Sequence, residues 1–549
     1  MDKQTFERNL LALAKNDPIL CSKLSSALTT TGVYRFLQAR TGDLVPALSN
    51  VQSAALPLHS IVDPRREGER IISTLNEEGC LIFLGLGGAF AIEAALKRED
   101  TKKIIIVEYD CNGLAELLSS KAYINLLSDP RFRLILDPVP EQLIHFILEN
   151  YRPAIDGGIR LLPLRTRTDT DKRFIEAAEA VKQAIDAVSR DYSVQAYFGK
   201  RWFSNIIRNL KLAEKQGASI PSIKKAIVCA AGPSLEKQIP IIKKELKGRK
   251  QQTELYVISC DTALPILLQN NIEPDSVISI DCQHIGYQHF FELMPEKTIL
   301  VLDLGSPPLV ASQSSNRIFF SGGHPLSLYI SRIWRSFPVL DTSGANVCYA
   351  ALSLSENLGA KEVSLYGADF SYPMGKTYAR GAYIYSYFNK LMSRYTPLEA
   401  LHSAFLYRDT SMQKYNSGTA LLDGTEQDNW YYQTRSLQFY KEKAEQRILY
   451  IKNTASRPLS FFSAGPVNLS AVDFLKQYRI SLEKLSSFDP LLNQKQNEPS
   501  SGAGQRELLT SLLPLAAYIR RTNPSLNSIE LFELVKTTSL YELDKIIQS

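Results

Sequence analysis

No two of the seven cysteines form a CxxC pair; they stand singly at 21, 80, 111, 229, 260, 282 and 348. Several lie inside apolar, strand-like runs, where Cys behaves as a small hydrophobe. Their scatter argues against a zinc site and a disulfide framework, and for a reducing compartment. Long apolar runs are also lacking: the best candidate, Cys80-Leu81-Ile82-Phe83-Leu84, meets Gly85 after five residues. That is far below the ~20 residues that span a bilayer and reads as a buried strand, so the chain is not expected to be an integral membrane protein. MDKQTFERNL at the start carries no apolar leader core, and secretion by a signal peptide is not expected. Charge is unremarkable, +6 over 549 residues. Clusters such as Lys243-Lys244 with Lys247 suit a solvated helix face, so no nucleic-acid partner is expected. A cytoplasmic location follows as the expectation.

What is present is an ordinary globular composition, 44% hydrophobic and 22% charged. At ~150 residues per domain the length implies three or four units. The first 60 residues carry helical periodicity and no chemistry. Then a strand (Leu81–Leu84), the loop Gly85-Leu86-Gly87-Gly88, a helix (Ala91–Leu96) and a second strand (Lys103–Val107) ending in Glu108 follow in order. This approaches a dinucleotide fingerprint, but Phe90 stands where the third glycine belongs, which favours a structural Rossmann-like unit. From Asp169 to Glu214 the chain reads as an amphipathic helical connector. Its Asp169-Thr170-Asp171 is a literal DxD, a pattern that can grip a metal through hard oxygens. It sits at a helix start, where capping is the better reading.

A second α/β unit begins at Ile223, with strands at Ala226–Cys229, Glu254–Ser259, Ser276–Ile280, Thr298–Leu302, Arg317–Phe320 and Glu362–Leu365. Helical stretches between them predict a doubly wound, mostly parallel sheet with ligands at its carboxyl ends. A helix (Ser436–Ala444) and a strand (Ile448–Ile451) should close it. The stretch 497–504, NEPSSGAG, reads as a linker, and the last 45 residues as short helices. Domain boundaries are accordingly set at 1–160, 161–220, 221–460 and 461–549. The fold class is multidomain α/β: a Rossmann-like N-terminal domain, a central doubly wound domain and a helical C-terminal region.

Four elements of the central domain fall where such a sheet places a ligand. In Ala231-Gly232-Pro233-Ser234-Leu235 a strand runs through a small-residue turn into a helix, whose first amides suit an anion; a plain strand-to-helix turn fits equally. Asp261 and Asp281 each end an apolar strand and can accept from ribose hydroxyls or cap the next helix. Thr342-Ser343-Gly344 offers hydroxyls and amides at a helix start. Gly367-Ala368-Asp369-Phe370 makes a turn after the last strand. Two strand-end Asp residues behind the glycine turn tilt the reading towards a site.

AGPSL, strand-Asp, strand-Asp, TSG and GADF, in this order, resemble the motility-associated factor (Maf) family, bacterial glycosyltransferases implicated in attaching nonulosonic acids to flagellin. The same order is similar to bacterial sialyltransferases that use CMP-sialic acid, which implies a sialyltransferase-like central domain. The resemblance is strong over about 224–372 and fair over Gly85–Glu108. It implies that Gly232, Pro233 and Ser234 face the CMP part of a donor. Asp261 and Asp281 would orient nucleotide and sugar, Thr342, Ser343 and Gly344 would hold base, ribose or sugar carboxylate, and Gly367 and Asp369 would shape the adjoining turn. The implied function is inverting transfer of a nonulosonic acid from a CMP-activated donor to Ser or Thr of flagellin, with flagellin as partner. No cofactor is required for such chemistry, since hydroxyls and amides can offset the charge on the leaving phosphate; the dependence on divalent metal is left open. Tyr372 and Tyr378 are the candidate hydroxyls, with aromatic packing as their alternative role. The family pattern places a His after the GxDF-type turn. Here Tyr378 stands near that place, and the general base falls to His402, Asp261, Asp281 or Asp369. Archaeal pterin pyrophosphokinases, relatives of the same domain family, imply an ATP- and Mg²⁺-dependent alternative. A non-catalytic flagellin-binding protein is the third.

Overall fold

The computed structural model describes all residues except 1–2, 28, 30–31, 50–54, 77, 216, 291–293, 423–424, 455–460, 493–500 and 549. It is a multidomain α/β protein with two parallel sheets, and it divides into two compact units, Met1–Gly199 with Leu485–Lys536, and Lys200–Lys484 with Thr537–Ser549. No described helix is long and apolar enough to cross a membrane.

The first unit holds a four-stranded parallel sheet of β1 (Glu78–Leu84), β2 (Lys103–Glu108), β3 (Phe132–Leu136) and β4 (Gly158–Pro163), in the order β3-β2-β1-β4. The runs CLIFL and IIIV are apolar at every position because both faces are covered. The period-two alternation of a strand decides which cover each residue meets. Leu81, Phe83, Ile104 and Ile106 pack towards Phe6, Leu13 and Leu117. Cys80, Ile82, Leu84, Ile105 and Val107 pack towards Leu143, Ile147 and Phe174. The first 60 residues contain two helices, Lys3–Ala14 and Pro18–Ser25, but also antiparallel strands at Tyr34–Gln38, Leu44–Leu48 and Leu56–Pro57. Helical periodicity alone misses these strands, whose hairpin is turned by Gly42 at φ +86°.

The second unit is built on six parallel strands: β5 (Lys225–Cys229), β6 (Leu255–Cys260), β7 (Ser276–Ser279), β8 (Ile299–Asp303), β9 (Arg317–Phe320) and β10 (Glu362–Tyr366). Their order is β9-β8-β7-β6-β5-β10. The chain winds outward from β5 to β9 and returns to place β10 on the other side of β5. That reversal is the switch point at which doubly wound sheets open a crevice. The expected strand at Ile448–Ile451 is instead the end of one helix, Arg435–Asn453. Ala444 and Ile451 are buried while Leu449 and Tyr450 are exposed, a helical period that a short apolar run conceals.

The helical C-terminal region comprises Ala471–Glu483, Ser501–Ser511, Leu513–Thr522 and Ser528–Ile547, the last of 20 residues rather than short. Of the expected linker, 497–500 lies outside the described residues, and 501–504 begins a helix. The DxD stretch is a helix junction: Asp171 accepts the Arg173 N–H at 3.0 Å and pairs with its guanidinium at 2.8 Å.

Candidate functional site

The glycine loop of the first unit is closed by its own neighbours. Gly85 and Gly87 take φ of +104° and +52°. Glu108 Oε1 accepts the Leu86 N–H at 2.6 Å, and Glu108 lies 3.5 Å from Arg167. His59 Nε2 accepts the Gly88 N–H at 2.8 Å, which requires a neutral imidazole; burial holds its pKa down to about 4. A Cβ on Gly87 would fall 2.5 Å from His59. The amides and the carboxylate that a dinucleotide would use are thus engaged within the protein.

At the switch point of the second unit, the loops after β5 and β10 are bonded to each other. Gly232 donates to the Gly367 carbonyl at 2.7 Å, and Ala230 to that of Tyr366 at 2.8 Å. Gly367 is obligatory: its φ is +66°, and a Cβ would lie 2.1 Å from the Ala230 oxygen. Asp369 Oδ2 accepts the Ser234 N–H at 3.0 Å, and a Cβ on Gly232 would lie 2.1 Å from that same oxygen. The helix Leu235–Lys247, which opens after Pro233-Ser234, therefore already holds a carboxylate at its positive end. Glu236, in its first turn, adds a second charge that binds Lys376 and the Arg380 N–H.

Beyond this clasp, β6, β7 and β8 each end near a carboxylate. Asp261 is fully engaged, accepting from Thr262 N–H at 2.7 Å, Thr262 Oγ1 at 2.9 Å and Ser279 Oγ at 2.7 Å. Asp281 is not: among the described residues only Oδ1 is engaged, by the Gln283 N–H at 2.8 Å. Burial raises its pKa, and Asp261 raises it further, while His289 and Arg201 oppose the shift. His289 is buried, its Nδ1 has no hydrogen-bond partner among the described residues, and its ring meets Tyr383 edge-on at 4.5 Å. Tyr383 is close enough for Asp261 and Asp281 to raise its pKa, behind the larger effect of burial. Asp303 is clamped, with Gly305 and Gly322 amides on its two oxygens at 2.7 and 2.9 Å; burial pushes its pKa up to about 6.

Of the expected tyrosines, Tyr378 is close enough to this row for Asp261 to act on its pKa, and Tyr372 neighbours Tyr378. Tyr372 starts a short strand paired with Tyr432, and Tyr378 packs against Tyr383 and Phe405 at ring distances of 6.2 and 6.3 Å. Burial raises the pKa of Tyr372 and of Tyr378, so both are protonated donors at neutral pH. Arg408 stacks on Phe405 at 3.8 Å, and its charge opposes the shift at Tyr372, Tyr378 and Tyr383. His402 packs between Tyr385 and Phe388, at 5.1 and 4.9 Å, in the contact between helices Leu398–Leu406 and Tyr383–Leu391.

Thr342-Ser343-Gly344 does not cap the next helix; Asn346 does, accepting the Tyr349 N–H at 2.9 Å. Thr342 Oγ1 donates to the Gly322 carbonyl at 3.0 Å, which ties this stretch to the loop that holds Asp303. Gly344 makes room for the Tyr349 ring, 2.2 Å from where a Cβ would stand. Tyr349 in turn donates to Asp341 at 2.9 Å, and Asp341 pairs with Arg447 at 3.0 Å.

The structure thus brings Asp261, Asp281, Tyr378 and the Tyr372 turn into one neighbourhood, and Gly232, Pro233, Ser234, Gly367 and Asp369 into another at the switch point. His402 falls in a helix contact, against Tyr385, which itself donates to the Tyr378 carbonyl at 3.0 Å. His289, Tyr383, Arg408 and Asp303 escape sequence reading. Asp303 follows an apolar strand as Asp261 and Asp281 do, and that repeat was the available signal. His289 carries none, because only the fold brings residue 289 to residue 383.

Residues 200–375 match the family model described as 6-hydroxymethylpterin diphosphokinase MptE-like. Three proteins of Treponema pallidum (strain Nichols), each described as an uncharacterized protein, are similar to the chain. One is 35% identical over 155 residues, which are 27% of this chain and 70% of that one. The second is 34% identical over 128 residues, 23% of this chain and 45% of its own length. The third is 24% identical over 211 residues, 38% and 45% of the two lengths. The chain thus spans less than half of the latter two. Among solved structures, the Maf glycosyltransferase from Magnetospirillum magneticum AMB-1 is similar with a TM-score of 0.57 and 14% identity, over all of this chain and 96% of the other. The fold is therefore that of the Maf glycosyltransferase.

Proposed function

From a chain that belongs to one family with the first of these Treponema proteins and has the Maf fold, we propose a glycosyltransferase that moves a nonulosonic acid from a CMP-activated donor to Ser or Thr of flagellin, in the cytoplasm. The observation that carries the reading is the pairing, at the carboxyl ends of β6 and β7, of one saturated carboxylate with one that keeps a free oxygen. Asp261 spends its bonds on its own loop, whereas Asp281 Oδ2 can take a proton.

In the proposed reaction the acceptor hydroxyl attacks the anomeric carbon while the bond from that carbon to the phosphate oxygen of CMP breaks. The hydroxyl proton passes to Asp281, and CMP leaves as a phosphate monoester. The raised pKa makes Asp281 a stronger base than an ordinary aspartate. Tyr372, Tyr378 and Arg408 offset the charge developing on the leaving phosphate, donors held by packing and so requiring little reorganisation. Because Asp369 already occupies the Ser234 amide, the phosphate is assigned to the Arg408 side of the site. Gly232, Pro233 and Ser234 then serve as a wall for the nucleoside, and Thr342 and Ser343 as polar contacts for ribose or sugar carboxylate.

The diphosphokinase-like description of residues 200–375 favours a second reading, transfer from ATP with Mg²⁺. Calorimetry on the full chain separates the two. Binding of CMP and CMP-sugars without magnesium supports the glycosyltransferase. Binding of ATP with magnesium, and none of CMP, overturns it.

A further inference from the structure

Two arginines of the second unit are buried without a carboxylate. Arg317, the first residue of β9, is 8% exposed, and Arg335, after the helix Pro325–Ile333, is 5% exposed. Neither has an ion-pair partner among the described residues. Arg317 Nη1 donates to the carbonyls of Ala311 and Ser314, and its Nε has no partner. Arg335 donates from Nε to Gly465 at 2.7 Å and from Nη1 to the carbonyls of Ala213 and Lys215. Burial lowers the pKa of both guanidinium groups, and no neighbouring charge offsets that shift.

Both side chains line one cavity of about 370 Å³, together with Lys215, Ser312, Ser315 and Phe319. Carbonyls at helix ends account for part of the arrangement, since a cation suits a helix C-terminus. They do not account for two like charges in one cavity. An uncompensated buried charge costs several kcal/mol, and nature removes it by pairing or by neutralisation, which arginine resists. Among the described residues Arg317 Nε keeps an N–H that no carbonyl takes, in the planar form that matches an oxyanion.

We propose that this cavity is an anion site that takes a phosphate group, free or carried by a small metabolite. Its place at the amino end of β9 puts it at the opposite end of the sheet from the Asp261–Asp281 row, so it stands apart from the proposed transfer reaction and does not depend on it. The volume falls at the lower end of the ~300–1,000 Å³ usual for small-ligand pockets, which leaves room for a sugar monophosphate as well as inorganic phosphate.

The test is thermal unfolding of the full chain with inorganic phosphate, ribose 5-phosphate or chloride at matched ionic strength, for wild type and Arg317→Met. The expected result is a Tm raised by the phosphates above the chloride control in wild type and unmoved by them in Arg317→Met. A larger shift with ribose 5-phosphate identifies an organic phosphate, and equal shifts identify the phosphate group alone. In chloride buffer Arg317→Met should unfold no lower than wild type, because it removes an unpaired buried charge. The same Tm for wild type in all three anions overturns the proposal, and so does an unreduced phosphate response in Arg317→Met. Should that variant fail to fold, the wild-type comparison still decides.

Discussion

In the proposed transfer Asp281 is the base, and its environment gives a sign to two experiments. Asp281→Asn is expected to lower transfer by ~10²–10⁴-fold, the usual worth of a general base, while CMP binding by calorimetry stays within a few fold of wild type. A base is active when deprotonated, and burial with Asp261 nearby raises this pKa. The acidic limb of the rate profile should therefore lie above that of an ordinary aspartate and vanish in the Asn variant. Asp303 offers a stability counterpart. Its folded-state pKa of about 6 exceeds the ordinary 3.8, so the folded protein binds this proton more tightly than the unfolded chain. The contribution is fully present below about 4 and is lost as pH rises through about 6. Unfolding in denaturant from pH 4 to 7 should show that decline in wild type and a shallower one in Asp303→Asn.

At the scale of elements, the clasp between the loops after β5 and β10 makes a sharp prediction. Gly367→Ala must accommodate a Cβ 2.1 Å from the Ala230 oxygen at φ +66°, and is expected to cost at least ~2 kcal/mol of stability by denaturant unfolding. Asn346→Ala should cost ~1 kcal/mol through the helix cap, whereas Ser343→Ala, at an exposed position that caps nothing, should stay within ~0.5 kcal/mol. The same elements explain what could be read in advance. All six central strands were legible because strands of a covered parallel sheet are mostly apolar, and their ends follow from where Asp or Gly interrupts the run. The helix Arg435–Asn453 was cut short because Ile448-Leu449-Tyr450-Ile451 is apolar in sequence although two of its residues face solvent. His289 was invisible because a single His carries no periodicity. Its partner Tyr383 lies on another element, and such contacts are set by tertiary packing alone.

For the whole molecule, the two parallel sheets have parted in their use of a common loop position. In the first unit Glu108 and His59 fill the glycine loop, so titration of the full chain with NAD or NADP is expected to give no binding at that site. In the second unit the corresponding loop is held by Asp369, yet among the described residues the strand ends beside it keep an Asp281 oxygen and the buried His289 Nδ1 without a partner. In the sequence, Phe90 in place of the third glycine already favours a structural role for the first loop, and the bonds of Glu108 and His59 give that role its physical basis.

The proposed transfer of a nonulosonic acid to flagellin with Asp281 as base is read out in the intact mass of flagellin. Flagellin produced in cells that make the CMP-activated sugar, together with the wild-type chain, should carry the mass of one or more nonulosonic acid residues. With Asp281→Asn at equal abundance that mass should be absent. An unmodified flagellin with wild type, or the same added mass with Asp281→Asn, would contradict the account.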